Sequence, residues 1–155
     1  MNFRITGLSP EPFRALFGLS DAVLATRRAK RYVASADSGF PDRIELRDAA
    51  PGESVILVNY EHQPADNPYR ARHAIFVLEG ASAAYDRVGE VPAVMSSRQI
   101  SLRAFGADDM MVDAHLGHGR DLERAIADLF ANREVAYVHA HYATRGCYAA
   151  LVTRA

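Results

Sequence analysis

A single cysteine, Cys147, stands in a chain of 155 residues, which excludes an intramolecular disulfide and any cysteine-rich zinc ribbon and fits a reducing compartment. An excess of one charge sign is also missing, since eighteen basic against nineteen acidic side chains leave a formal charge of -1. No summed positive field draws in a phosphate backbone, so nucleic-acid binding is disfavoured. There is no run of about 18 apolar residues to span a bilayer, and the stretch from Met1 to Pro10 lacks the apolar core of a secretory signal. These absences predict a soluble, cytoplasmic protein with no membrane partner. The chain also has no Gly-x-Gly-x-x-Gly, no Walker loop, no Gly-x-Ser-x-Gly and no His-Glu-x-x-His, so no nucleotide, hydrolase or zinc-protease motif names a reaction or a cofactor.

What is present is a globular composition. Hydrophobic residues make up 49 % and charged residues 24 % of the chain, enough apolar material for one core and too much for a disordered segment. No repeat, low-complexity tract or linker divides it, so residues 1–155 read as one domain.

The alternation over residues 2–8 predicts a first strand, and Ser9-Pro10-Glu11 reads as an N-cap with proline at the first helical position. A short helix follows from about Pro10 to Phe17, with Leu8 and Phe13 as its staple and Gly18 at its end. Ser20 or Asp21 caps a second short helix on which Val23, Leu24 and Ala25 supply the apolar face. The basic cluster Arg27, Arg28, Lys30 and Arg31 reads as a solvated helix end. Gly39 and Pro41 break the chain before a strand at Arg43 to Leu46, and Pro51-Gly52 is a turn.

Val55 to Val58 and Ala74 to Leu78 are apolar on both faces and predict the centre of the sheet. Gln99 to Phe105 and Met110 to His115 form a hairpin through Gly106 to Asp109, with Met110, Met111 and Val112 in the core. Leu122, Ala125, Ile126, Leu129 and Phe130 make one helical stripe between Asp121 and Asn132, placing a helix across the sheet. Val135 to Tyr142 and Cys147 to Thr153 close the chain as a hairpin around Ala143 to Gly146. The fold class is α+β, a single domain with a largely antiparallel sheet, a helix from the C-terminal half packed across it, and short N-terminal helices.

Chemistry-bearing side chains crowd Asn59 to His73 at the end of the first apolar strand. Tyr60, Glu61, His62, Tyr69, Arg70, Arg72 and His73 are the ligand-binding candidates, because two guanidinium forks on one face can grip a carboxylate or phosphate beside an aromatic wall. Strand alternation puts Tyr60 and His62 on one face and Asn59 and Glu61 on the other. The bland alternative pairs Arg70 and Arg72 with Glu61 or Asp66 at a solvated strand end.

His139 and His141 share a strand face, a spacing at which two imidazoles can ligate one metal, with His62, His73, Glu61 or His115 as possible third ligands. The pair is similar to the His-x-His of cupin metal sites, but no glutamate follows His141. Cys147 is a possible nucleophile if a histidine base can reach it. A four-residue hairpin loop pairs Tyr142 with Cys147 and His141 with Tyr148, which sends the thiol to the other side of the sheet from both histidines. A three- or five-residue loop reverses this. Asp113 qualifies as a catalytic carboxylate only if it faces the histidines.

The stretches Leu19-Ser20-Asp21, Asn59 to Pro64, Pro68-Tyr69-Arg70, Ile75-Phe76-Val77, Met110 to Ala114, His139-Ala140-His141 and Gly146 to Ala149 together resemble a bacterial family catalogued as domain of unknown function 1203. The resemblance implies membership without a reaction, cofactor or partner. It also implies that many members carry a cysteine where this chain has Asp42. Three readings follow: a domain binding a small anionic ligand in a pocket of Arg and His side chains, a metal-dependent enzyme using His139 and His141 with Glu61 or Asp113 as acid or base, and a noncatalytic interaction module that contacts another protein or a second copy of itself.

Overall fold

The computed structural model describes residues 2–36 and 39–155. Two antiparallel sheets organise them, where the sequence reading had a single sheet centred on the two apolar strands. The larger has six strands in the order β5-β1-β9-β8-β6-β7, formed by β1 (Phe3–Thr6), β5 (Asp86–Val88), β6 (Gln99–Phe105), β7 (Met111–His118), β8 (Tyr137–Tyr142) and β9 (Tyr148–Arg154). The smaller has the order β2-β3-β4, from β2 (Lys30–Val33), β3 (Ser54–Gln63) and β4 (Ala71–Leu78). Of the two apolar strands, β3 is central and β4 lies at an edge of this sheet.

The elements arise from local chemistry. Helix α1 (Asp21–Thr26) starts at Ser20, whose hydroxyl accepts the Val23 N–H at 3.3 Å, the bond expected of an N-cap. Only Leu24 of its expected apolar face is buried, and Val23 is exposed. The segment Glu11–Leu16 is a 3-10 helix that buries Phe13 and Leu16. Helix α2 (Ala93–Ser96) and strand β5 had no signal in the sequence, being too short for a periodicity to show. Helix α3 (Leu122–Ala131) buries all five residues of the predicted stripe.

Two cores result. Ile100, Leu102, Val138, Ala140 and Val152 pack with Leu122, Ile126 and Phe130 of α3 on one face of the large sheet. Phe13, Leu24, Ile44, Ile56, Ile75 and Val77 form the second with Tyr148. Tyr148 belongs to β9 of the large sheet yet packs in the core of the small one, so it marks where the two meet.

The expected strand at Arg43 to Leu46 is absent. Asp42 is fully buried and its carboxylate accepts the N–H groups of Ile44 at 3.1 Å, Glu45 at 2.6 Å and Leu78 at 2.6 Å. These bonds curl the backbone instead of extending it, and Leu46 takes a positive φ of 50°. The curled segment lies along the outer edge of β4, where Asp42 bridges Phe76 in parallel and the Arg43 N–H donates to the Phe76 carbonyl at 3.2 Å. Gly7 lets it pass, since a Cβ there would sit 2.1 Å from the Ile44 oxygen.

The basic cluster divides as well. Arg31 is not solvated: its guanidinium binds Glu79 at 2.7 and 3.0 Å, Asp21 at 2.6 Å and the Leu19 carbonyl at 2.6 Å, tying α1 to the end of β4. Met110 and Val112, expected in the core, are exposed because they lie in and just before β7, the edge strand of the large sheet, with no further strand beside it among the described residues.

Replacing the Asp42 side chain tests the curl. Asp42→Ala leaves three N–H groups without their acceptor and should lower stability in urea unfolding by about 3 kcal/mol or more, whereas Asp42→Asn, which keeps one acceptor oxygen, should lose less.

Candidate functional site

The curled segment and the β8–β9 hairpin enclose a cleft of about 710 Å³. One wall is half-buried and aromatic, where Tyr32, Phe40 and Phe76 meet with ring centroids 5.4 to 6.4 Å apart, with Leu57 beside them. The opposite side is cationic and carries Arg43, Arg98 and Arg145, with His73 and Ala74 from β4 also lining the cleft.

Arg43 is the unusual member. It is 1 % exposed, and its guanidinium donates to the Tyr148 carbonyl at 2.8 Å, to Cys147 Sγ at 3.0 Å and to the Pro41 carbonyl. Among the described residues no carboxylate forms an ion pair with it. Burial pulls its pKa below the usual arginine range, the direction expected when a charge loses water. The Tyr142 ring lies under it at 4.9 Å and under Arg98 at 5.5 Å.

Tyr142 is 6 % exposed, and its hydroxyl has no hydrogen-bond partner among the described residues. Burial raises this hydroxyl to about 12 although Arg43 and Arg98 pull the other way, so it remains a proton donor without an acceptor. Arg98 is held by Asp48 at 2.7 and 3.0 Å. Arg145, in the hairpin loop, is exposed and has no ion pair among the described residues.

The hairpin has the four-residue loop considered from the sequence. The Gly146 N–H bonds the Tyr142 carbonyl at 2.8 Å, the Tyr142 N–H bonds the Cys147 carbonyl at 2.9 Å, and His141 pairs with Tyr148. Cys147 therefore lies on the Tyr142 side, away from both histidines, and no imidazole of that pair can serve it as a base. Ala149 is the unpaired residue of a bulge that shifts the register between Ala140 and His141.

On the other side, His139 and His141 meet His62 between the two sheets. A bulge in β3 leaves His62 without a register partner between Glu61 and Gln63 and turns its ring inward. It stacks on Tyr148 at 5.4 Å and lies 5.0 Å from the His141 ring and 6.2 Å from the His139 ring. The Nδ1–H of His141 donates to the Gly146 carbonyl at 2.9 Å, which leaves its Nε2 as an acceptor. Nδ1 of His62 and of His139 are buried without hydrogen-bond partners among the described residues.

Burial pulls His139 down to about 4, with His62 and Arg103 adding to it. Burial likewise takes His141 to about 3 and lowers His62. All three imidazoles are neutral at pH 7. Among the described residues no group of three or more His, Cys, Asp and Glu is arranged to hold a metal ion.

The remaining candidates lie elsewhere. Tyr60 shares the inward face and packs on Phe13 at 5.6 Å. Glu61 faces outward and holds Arg70 at 3.0 Å and Arg72 at 3.6 Å, while Arg72 Nε donates to Asn59 at 2.6 Å. Both arginines are more than half exposed and neither lines the cleft. Tyr69 packs against Phe105 at 6.0 Å. His73 bonds the Ala74 carbonyl. Asp113 and His115 stand on exposed β7, so neither joins the histidines.

Arg43, Arg98, Tyr142 and Arg145 were not singled out as site residues. Positive residues far apart in the chain converge only through the tertiary fold, and Arg43 carried the pattern of a strand.

The model of one family, described as Protein of unknown function (DUF1203), matches residues 39–154. No curated protein matches the chain, and no solved structure does. Among the described residues no helix is long and apolar enough to cross a membrane.

The histidine cluster sets an acid limit on stability. The unfolded chain takes up protons at its ordinary histidine pKa, near 6.5, whereas folded His139 and His141 wait until about 4 and about 3. Stability is therefore full above pH 7 and falls as pH drops below 6.5. The pair should add up to about 2.7 kcal/mol per pH unit to the slope near pH 5. Denaturant unfolding of wild type and His139→Leu across this range should show the slope reduced by about half of that in the variant. Equal slopes would place the proton uptake elsewhere.

Proposed function

The chain belongs to the family of proteins of unknown function DUF1203, and we propose that it binds a small organic anion, a carboxylate or phosphate on an apolar or aromatic body, in the cleft between the curled segment and the β8–β9 hairpin. The observation that carries this reading is a buried guanidinium that has no carboxylate ion pair among the described residues, over the ring of a tyrosine whose buried hydroxyl has no acceptor among them, both residues lining one cleft.

A buried charge without an ion pair is costly even with the Asp42 carboxylate on the neighbouring residue, and an orphaned buried hydroxyl costs about 1 to 3 kcal/mol. One anion supplies both deficits. It brings acceptor oxygens for the Tyr142 hydroxyl and negative charge beside Arg43, and Arg145 is free to close over it from the loop. Tyr32, Phe40 and Phe76 form a hydrophobic wall that suits the ligand's apolar part. The anion-binding pocket expected from the sequence thus moves from Arg70 and Arg72, whose charge Glu61 already offsets, to arginines from three other segments. His73 is the histidine that accompanies them.

Calorimetric titration with benzoate and phenyl phosphate, against uncharged benzyl alcohol, tests the reading. The anions should bind saturably and the alcohol should not. Tyr142→Phe, which keeps the packing, should weaken the anions about three- to tenfold. Arg145→Ala should weaken them by a similar factor without changing the melting temperature. No saturable binding at millimolar anion, or an equal response from the alcohol, would sink the proposal.

A further inference from the structure

We infer that β7 is a self-complementary edge and that two copies of this chain pair through it, antiparallel, about a two-fold axis at Ala114. The large sheet ends at β7, whose outer side has no strand beside it among the described residues. Among the described residues, three of the six exposed large apolar side chains, Met110, Val112 and Leu116, lie on this strand or in the turn before it. The opposite edge, β5, is only three residues long. In the small sheet, β4 is screened by the curled segment that bridges Phe76. Long exposed edges with apolar side chains and no proline or lysine are templates for another strand.

The backbone register decides which residues can bond outward. The carbonyls of Gln99 and Phe105 turn toward β8, where they accept the N–H groups of Ala143 and Ala136. By alternation Ile100, Leu102 and Ala104 turn toward β7, where their partners are Gly117, His115 and Asp113. Ala114 and Leu116 therefore aim their N–H and C=O groups away from the sheet. The Ala114 N–H agrees with this, because its partner is the neighbouring Asp113 side chain at 2.8 Å and not a strand.

An antiparallel partner centred on Ala114 lets the two Ala114 residues exchange both backbone bonds. The same register sets Asp113 opposite His115 of the other copy and Val112 opposite Leu116, so acid meets imidazole and apolar meets apolar, each pair occurring twice by symmetry. A centre on Asp113 would oppose two carboxylates, and one on His115 would oppose two imidazoles and bring no acid to either. The pairing joins two six-stranded sheets into one continuous sheet and removes the free edge. It stands independently of the anion cleft, which lies at the β8–β9 hairpin.

Sedimentation velocity over a hundredfold range of concentration should show a monomer–dimer equilibrium. Leu116→Lys should weaken it at least tenfold while leaving the melting temperature of the dilute monomer unchanged. In a Cys147→Ser background, Ala114→Cys should form a disulfide-linked dimer on mild oxidation and Leu116→Cys should not, because only the first position faces its own copy. A strict monomer throughout would overturn the inference. So would a dimer that Leu116→Lys leaves intact, or one in which the crosslinking order is reversed.

Discussion

The burial of Arg43 is the constraint on which the arrangement of the two sheets depends. Its guanidinium reaches from the segment beside β4 to the start of β9, where the carbonyl of Tyr148 and the sulfur of Cys147, the residue before the strand, accept from it. Asp42, the preceding residue, bends the backbone that delivers it and bonds Leu78 of β4. One stretch of chain is thereby fastened to both sheets, and the cleft is the space left beside that fastening. A well-packed apolar residue could fill such a position at equal or lower free-energy cost. The buried cation lies over the ring of Tyr142, whose hydroxyl is unpartnered among the described residues, and this pair is the ground for proposing a ligand there.

Tyr148 receives the same joint from its other side. Its carbonyl takes the Arg43 bond, and its ring stacks on His62 and meets His139 and His141 edge-on. The histidines act there as neutral aromatic filling, since burial and the nearby Arg103 hold each below its ordinary pKa. The two faces of the β8–β9 hairpin thus carry separate chemistry, with the thiol, Tyr142 and the cationic cleft on one and the imidazoles on the other. The four-residue loop sets this division, and one residue more or fewer would exchange the faces.

Elements with a strong local period were legible in the sequence. Strand β6, the stripe of helix α3 and the β8–β9 hairpin could each be placed from neighbouring residues alone, whereas the face that Cys147 takes hung on the loop length, which the structure sets at four residues. The meeting of His62 with His139 and His141 could not, because it needs a bulge in β3 and the facing of two sheets. Arg43 to Leu46 alternated like a strand, but the Asp42 carboxylate took over its N–H groups. Met110 to Val112 had the hydrophobicity of a core strand, and only the strand order reveals that they lie at the sheet edge, where Met110 and Val112 are exposed and Met111 is half-buried. The cleft was not legible: of the ligand-binding candidates read from the sequence only His73 lines it, and it draws on Arg43, Arg98 and Arg145, which no spacing connects.

Cys147 sits on the cleft as the chain's only thiol, so alkylation reports the electrostatics of the pocket directly. The rates for iodoacetate and for uncharged iodoacetamide would be compared as a ratio, with glutathione as the free-thiol reference. A cationic cleft that accepts anions raises the iodoacetate share well above the reference, and Arg145→Ala lowers it again. A ratio equal to or below that of glutathione, or a thiol that neither reagent reaches in the folded protein, would contradict the existence of an accessible anion site.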